Sequence, residues 1–230
     1  MDRLRFFITS GILLLSTLLV SADKAPFILL FPKNGIPEGW LVRAWSDISN
    51  LGPKNARWIV ENGTLNGGGA RGSWLISEKE YSDFELHFEF KLGPQGNSGC
   101  ALRTPIAGDP AFDGLELQMA DLRYNLNALP SELTGGLYRA LAPKKQVYRP
   151  EEWNSYKILL KGPKIRVSLN GINILDQDLT TQKKIIKRHN GQDASALKDR
   201  PRRGRIGFQN LSRGGSPVLI RNAKVRELGL

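Results

Sequence analysis

Residues 83–92, DFELHFEFKL, place an apolar residue at every second position, so one face of this segment is apolar and the other is polar. A period of two predicts a β-strand that is half buried against a core, and it does not fit the helical period. Related alternation returns at 99–105, 113–121, 205–210 and 217–228. The chain is therefore expected to form many short strands.

Turn signals separate the strands. Asn62-Gly63, Gly162-Pro163 and Asn170-Gly171 are each followed by another strand pattern, as in β-hairpins. Two longer segments, 121–152 and 176–204, break this rhythm, and loops of such length in a compact domain are usually functional or disordered. We predict an all-β sandwich or jelly roll of two antiparallel sheets with two long loops.

The first 22 residues have the pattern of an export signal. Arg3 and Arg5 precede a mostly apolar run over 6–20, and small residues follow at Ser21-Ala22. Removal of this leader predicts one domain over 23–230, located in the periplasm or outside the cell. A retained anchor is the alternative, but the apolar run is short for a bilayer, so no stable membrane span is expected after cleavage.

The small numbers of cysteine and histidine residues limit the kinds of site that the chain can form. The single cysteine, Cys100, excludes an internal disulfide, and its strand position favours a small buried side chain over a nucleophile. Only His87 and His189 are present, so a zinc site rich in histidine or cysteine is excluded.

The net charge is +11, and much of it lies at 183–205. Because an exported protein does not meet nucleic acid in the cell, we expect no nucleic-acid partner. A solvated surface or an anionic envelope or glycan fits the charge better.

The segment 113–121, DGLELQMAD, contains the most suggestive polar groups. Alternation puts Glu116 and Gln118 on one face, with Asp121 just beyond. A retaining glycosidase needs two carboxyls about 5–5.5 Å apart, whereas Glu116 and Asp121 would face opposite ways in a regular strand unless a bulge realigned them. The plainer interpretation is that these residues only solvate an exposed sheet face.

Six segments, taken together, resemble the secreted 3-keto-disaccharide hydrolase domain family. The pieces GNSG-x-x-x-R at 96–103 and DG-x-E-x-Q at 113–118 are the most distinctive ones. The matching segments cover most of 40–228 in order: NARWIVENGTLNG, GSWLISEKEYSDFELHFEFKLGPQGNSGCALRTP, DPAFDGLELQMAD, TGGLYRALAPKK, EEWNSYKILLKGPKIRVSLNGINILD and RPRRGRIGFQN.

This resemblance implies a concanavalin A-like jelly roll with a sugar groove on the outer face of one sheet. It also implies cleavage of glycosides that are already oxidised to a ketone at C3. In that chemistry Glu116 would be the base or a metal ligand, Gln118 and Arg103 would bind or polarise the ketone, and Asp121 would assist. The residues expected to contact the sugar are Asn97, Ser98, Tyr138, Trp153 and Gln209.

The sequence does not decide whether the site holds a cofactor or whether it is catalytically active. An oxygen-rich site would suit a divalent cation such as Ca²⁺, held by Glu116 and Asp121. Many relatives read GHIG-x-Q where this chain has Arg205, and several continue with Asp-His where it has Asn210-Leu211. The missing histidine favours a non-catalytic glycan-binding module as the second interpretation, and a laminarinase-like glycosidase is the third.

Overall fold

The computed structural model describes residues 25–214 and 216–229. The predicted leader, 1–22, lies outside the described residues. In this part of the chain, none of the helices has the length and apolar character needed to cross a membrane. Two antiparallel sheets dominate the structure, and this confirms the predicted all-β jelly roll.

The smaller sheet has five strands in the order β2-β5-β14-β7-β8. Its strands are β2 (Trp40–Ala44), β5 (Ser73–Tyr81), β7 (Asn97–Thr104), β8 (Leu115–Ala120) and β14 (Gly204–Asn210).

The larger sheet has the order β11-β10-β9-β6-β15-β4-β3, and β1 also pairs with β15. Its strands are β1 (Ile28–Leu29), β3 (Ala56–Glu61), β4 (Thr64–Gly69), β6 (Phe84–Lys91), β9 (Asn154–Lys161), β10 (Lys164–Leu169), β11 (Ile172–Asp178) and β15 (Val218–Glu227).

The predicted hairpins form where the sequence places them. Asn62 and Gly63 have φ angles of 51° and 73° between β3 and β4, and Asn170 and Gly171 have 52° and 81° between β10 and β11. Two successive left-handed residues are the requirement of the type I′ turn, whose twist matches that of the strands.

The core lies between the two sheets. From the larger sheet, β6 contributes Phe84, Leu86, Phe88 and Phe90; from the smaller sheet, β8 contributes Leu115, Leu117 and Met119. Cys100 is also buried there, and burial raises the pKa of its thiol well above the usual value, as expected for an unreactive side chain. The opposite face of β8 is thereby left to polar residues.

A short helix, α1 (Pro110–Asp113), and a small hairpin cover one end of the smaller sheet. The hairpin comes from the second long segment and pairs β12 (Ile186–Lys187) with β13 (Asp193–Ala194). Arg188 clamps it onto α1, because its Nη1 and Nη2 donate to the two carboxylate oxygens of Asp113 at 2.9 and 2.5 Å.

Several arginines of the basic run at 183–205 make contacts within the fold, whereas Lys183 and Lys184 are exposed. Arg200 is buried and donates from Nη1 to the carbonyls of Ala111 and Gly114, both at 2.9 Å. Arg203 and Arg205 each bond to Glu80, again at 2.9 Å. The arginines of this run are therefore occupied by internal partners.

Candidate functional site

A cavity of about 270 Å³ opens on the outer face of the smaller sheet. Its floor consists of strand residues that alternation points away from the core: Asn97 on β7, Glu116 and Gln118 on β8, and Gln209 on β14. The remaining lining residues come from loops and α1: Trp45, Arg71, Asp109, Ala111, Tyr124, Tyr138, His189 and Leu211.

Pairing between β7 and β8 makes room for the central carboxyl group. Gly99 lies opposite Gln118, and Ala101 lies opposite Glu116. A Cβ on residue 99 would come within 2.0 Å of Glu116 Oε1, so the Glu116 side chain extends across the space that glycine leaves. The glycine at this position therefore permits the observed position of Glu116.

Glu116 is 3% exposed and lies in an electrostatically unfavourable place for a charged carboxylate. Burial raises its pKa well above the usual value, and the negative charge of Asp109 raises it further. Desolvation disfavours the ionised form of an acid, so the cavity favours the protonated form of Glu116.

Asp109 brings a second carboxyl group to the cavity. It caps the N-terminus of α1 by accepting a hydrogen bond from the Ala111 amide at 3.0 Å, and Pro110 follows at the first helical position. Burial raises the pKa of Asp109 to about 7. Sequence reasoning missed this residue, although Asp-Pro before a short apolar segment is a recognisable helix-start signal.

His189 stands at the mouth of the cavity, on the turn of the β12–β13 hairpin. Its ring lies 5.5 Å from that of Trp45, 5.2 Å from that of Phe112 and 5.9 Å from that of Tyr138, measured between centroids. Partial burial, together with the positive charge of Arg139, lowers the pKa of His189. A lowered pKa favours the neutral imidazole, which is able to accept a proton.

Two buried amide oxygens point to a polar ligand. Asn97 Oδ1 and Gln209 Oε1 have no hydrogen-bond partner among the described residues, although both side chains line the cavity. Buried polar atoms are almost always paired in folded proteins. These two acceptors are well suited to the hydroxyl groups of a bound molecule.

The comparisons with known proteins agree with this arrangement. The model of the 3-keto-alpha-glucoside-1,2-lyase-like domain family matches residues 27–226. The chain belongs to this family. Among curated proteins, none matches the chain significantly.

Solved structures support the same assignment. A candidate glycosyl hydrolase from Parabacteroides distasonis ATCC 8503 is 28% identical, with a TM-score of 0.71 over 88% of this chain and 100% of its own. A second one from that organism is 26% identical, with a TM-score of 0.66 over 88% and 94%. SCLam, a non-specific endo-β-1,3(4)-glucanase from family GH16, is 12% identical with a TM-score of 0.52 over 90% and 94%, and shows the fold alone. The domain is thus a carbohydrate-active, glycosyl hydrolase-like one.

Several residues predicted for the site of this 3-keto-glucoside lyase-like domain do line the cavity. They are Asn97, Glu116, Gln118, Tyr138 and Gln209.

Arg103, in contrast, does not line it. Its guanidinium group donates to the carbonyls of Ser82 and Gly162 at 2.6 and 2.8 Å, and to Asp83 Oδ1 at 2.9 Å. The prediction that Arg103 polarises the ketone is therefore wrong. Its guanidinium group lies outside the cavity and holds the turn after β9.

Two predicted sugar contacts also lie elsewhere. The Ser98 hydroxyl faces inward and donates to the carbonyl of Gln209 at 2.6 Å. The Trp153 ring is covered by Arg221 of β15, whose guanidinium carbon lies 4.0 Å from the ring centroid. Sequence reasoning placed both side chains in the sugar groove. In the structure, Ser98 instead bonds to β14, and Trp153 packs against β15.

Asp121 does not turn back towards Glu116. Its carboxylate accepts bonds from Arg123 Nε at 2.7 Å and Nη2 at 3.0 Å, and from the Tyr148 hydroxyl at 3.4 Å. It borders a smaller neighbouring cavity and not the one that Glu116 lines. Glu116 and Asp121 thus point to different places, as expected for a strand without a realigning bulge, and Asp109 brings the second carboxyl group to the cavity.

The described residues do not provide a group of acidic, histidine or cysteine side chains for the expected divalent cation. Across residues 25–214 and 216–229, no three His, Cys, Asp or Glu side chains are grouped so as to hold a metal ion. Asp121, one of the two suggested ligands, is already bonded to Arg123.

Proposed function

We propose that the domain cleaves glycosides whose sugar carries a ketone at C3, by elimination followed by addition of water. The observation that carries this proposal is that a buried carboxyl group, Glu116, and an imidazole, His189, line the same cavity. Glu116 has a raised pKa, and His189 has a lowered one. Environments that push two pKa values apart in this way are typical of acid and base roles.

The first step would be removal of the C2 proton, which the neighbouring C3 ketone acidifies. The neutral imidazole of His189 accepts this proton, and the electron pair of the C2–H bond forms the enolate of the C3 ketone. Sequence reasoning gave Glu116 the role of base or metal ligand; the role proposed here differs because burial favours its protonated form.

Glu116 instead donates a hydrogen bond to the C3 oxygen as negative charge develops there. A carboxylic acid kept neutral by burial is an effective donor to an enolate. The negative charge of Asp109 supports this role, since it contributes to the raised pKa of Glu116.

Collapse of the enolate completes the elimination. The C3 carbonyl forms again, a double bond forms between C1 and C2, and the C1–O bond breaks. His189 returns its proton to the leaving oxygen, which is feasible because C1 and C2 are adjacent. Water then adds at C1, and C2 regains a proton, so the net reaction is hydrolysis.

A glycan-binding module without turnover is the second candidate. Many relatives carry histidine at the position of Arg205, which bonds to Glu80 here, and several carry it at the position of Leu211, which lines the cavity. If the missing histidine is the essential one, Asn97 and Gln209 would bind the sugar hydroxyls without reaction.

The decisive experiment compares a 3-keto-glucoside with its parent glucoside, with and without a chelator. Cleavage of the keto sugar alone supports the proposal, and binding without turnover supports the module. Cleavage of the parent glucoside would mean a conventional glycosidase.

Variants test the residues in the same assay. Glu116→Gln and His189→Gln should each lower kcat by about 100-fold or more, in line with the size of general acid–base contributions. Glu61→Gln is the matched control, because Glu61 is an exposed residue of β3. Full activity of Glu116→Gln would show that the assigned site is wrong.

We further propose that the domain acts outside the cytoplasm. The basic and apolar leader of residues 1–22 supports this location. Detection of the mature N-terminus at residue 23 in a periplasmic or culture fraction tests it.

A further inference from the structure

A second concave surface lies on the outer face of the larger sheet. Its volume is about 310 Å³, and it is formed mainly by β6, β9 and β15. The lining residues are Leu29, His87, Phe88, Glu89, Ser155, Lys157, Asn222 and Lys224. We call this surface the outer groove.

Strand register lines up three nitrogen-bearing side chains across the outer groove. Lys224 of β15 lies opposite His87 of β6, and His87 lies opposite Lys157 of β9. Adjacent strands are about 4.8 Å apart, so the three side chains form one row about 10 Å long. The two lysines therefore lie on either side of His87, on strands that β6 separates.

Two carboxylates lie near this row, and both are paired with arginines, although Glu85 also lies 3.9 Å from His87 Nε2. Glu85 pairs with Arg226, and Glu89 pairs with Arg221 at 2.6 Å. In the described part of the chain, neither Lys157 nor Lys224 takes part in an ion pair within 4.0 Å.

The charges around His87 also affect its pKa. Burial lowers its pKa, and the charges of Lys157, Lys224 and Arg226 lower it further, while Glu85 acts in the opposite direction. An anion placed in the row would favour the protonated imidazole.

One edge of the outer groove is apolar. Phe27 lies against His87, with 4.6 Å between ring centroids, and the Lys224 ammonium lies 5.2 Å from the Phe27 ring centroid. Leu29 is 56% exposed beside them. Two ammonium groups on either side of an imidazole, next to an apolar edge, can receive an acidic group together with the C–H face of a sugar ring.

We propose that the outer groove binds an anionic polysaccharide through its carboxylate or sulfate groups. The row of Lys157, His87 and Lys224 contacts the acidic groups, and Phe27 and Leu29 contact the ring. The site is on the opposite sheet from the cavity of Glu116, so it would hold the domain on a charged glycan independently of any reaction.

Binding of dextran sulfate and of uncharged dextran tests the proposal, with the purified chain and a fluorescent label on the sugar. Dextran sulfate should bind, and dextran should not. The double variant Lys157→Gln/Lys224→Gln should weaken binding at least tenfold. The control Lys144→Gln/Lys145→Gln removes the same charge from exposed residues outside the groove and should change affinity less than threefold.

Equal losses in the two double variants would mean attraction to net charge alone and would overturn the proposal. Equal binding of dextran and dextran sulfate would also overturn it. Single-stranded oligo-dT serves as a further arm, and tighter binding of oligo-dT at the same row would assign the groove to nucleic acid instead.

Nuclear magnetic resonance provides a second readout, because the chain has only two histidines. Saturating dextran sulfate should raise the pKa of His87 and leave that of His189 unchanged, with the signals assigned through His87→Gln. An unmoved His87, or equal movement of both histidines, would place the ligand elsewhere.

Discussion

The Glu116 carboxyl group lies across Gly99 of the neighbouring strand, where a Cβ would come within 2.0 Å of Oε1. Replacing Gly99 with alanine must therefore displace Glu116 or the strand. A misplacement of about 1 Å in a catalytic group can cost roughly 100-fold in rate. We expect Gly99→Ala to lower kcat/KM on a 3-keto-glucoside by about that factor, as measured by steady-state kinetics.

The double variant Gly99→Ala/Glu116→Asp separates steric conflict from general unfolding. Aspartate is one methylene shorter, so it removes the contacts of Oε1 and Cδ but keeps the one of Cγ at 2.8 Å, and it should recover part of any lost thermal stability without recovering activity. No recovery of stability would show that residue 99 conflicts with the backbone and not with the carboxyl group.

Asp109→Asn should stabilise the protein at high pH. The folded pKa of Asp109 is about 7, against a usual value of 3.8, so the folded state holds this proton more tightly than the unfolded chain. Ionisation therefore costs stability as the pH rises from about 4 to above 7. Asparagine still caps α1 and never ionises.

We expect a gain on the order of 2–4 kcal/mol at pH 8 and little change at pH 4, as measured by urea unfolding. The same variant should move the alkaline limb of the kcat profile to lower pH, because Glu116 loses the charge that helps to keep it protonated. A variant less stable than wild type at pH 8 would contradict the assigned shift.

The period of two predicts most of the fold because every strand of a sandwich has one face in the core. Asn62-Gly63 and Asn170-Gly171 predict their hairpins because the turn itself requires left-handed residues. The floor of the cavity is equally visible in the sequence, since Glu116, Gln118 and Gln209 occupy the outward positions of their strands.

The walls of the cavity are harder to predict, since they come from segments with no periodicity. His189 reaches the site through a small hairpin that the Arg188–Asp113 ion pair holds in place, and this tertiary contact has no local signal. Arg103 was expected at the site but lies outside it. Its strand position suggested the groove, but its long side chain reaches the carbonyl of Gly162 instead.

Asp121→Asn should reduce stability and spare catalysis. Burial raises the pKa of Asp121, but hydrogen bonds from Arg123 and the Gln95 amide outweigh burial, and the pKa lies below its usual value. A depressed pKa stabilises the fold above about pH 4, and this contribution is lost as the pH falls further. We expect a loss of about 1–3 kcal/mol at pH 7 that shrinks below pH 4.

Parallel urea unfolding at pH 7 and pH 3 provides the measurement for Asp121→Asn. Turnover of the 3-keto sugar should remain close to that of the wild type, because the Asp121 carboxylate is bonded to Arg123 and not directed at Glu116. A selective loss of kcat with unchanged stability would return Asp121 to the catalytic site.

Arg103→Lys should destabilise the fold. Burial lowers the pKa of Arg103 to about 10, so the side chain is still charged at pH 7 and needs its three partners. Lysine lacks the planar fork that bonds Ser82, Gly162 and Asp83 together. We expect a loss of about 3–5 kcal/mol from this buried pair, with no change in KM for the surviving folded protein. A raised KM at full stability would indicate direct contact with the sugar.

The Arg188–Asp113 ion pair should position His189 without contacting the substrate. Removing either partner releases the β12–β13 hairpin from α1, so Arg188→Gln and Asp113→Asn should each lower kcat/KM by about tenfold, through misplacement of the imidazole. Because both variants break the same contact, the double variant should be no worse than the single ones.

Lys187→Gln is the matched control, since Lys187 pairs with Asp193 at 2.5 Å on the same hairpin, with both side chains more than half exposed. Additive losses in the double variant would show that the two residues act separately and that the pair does not position His189.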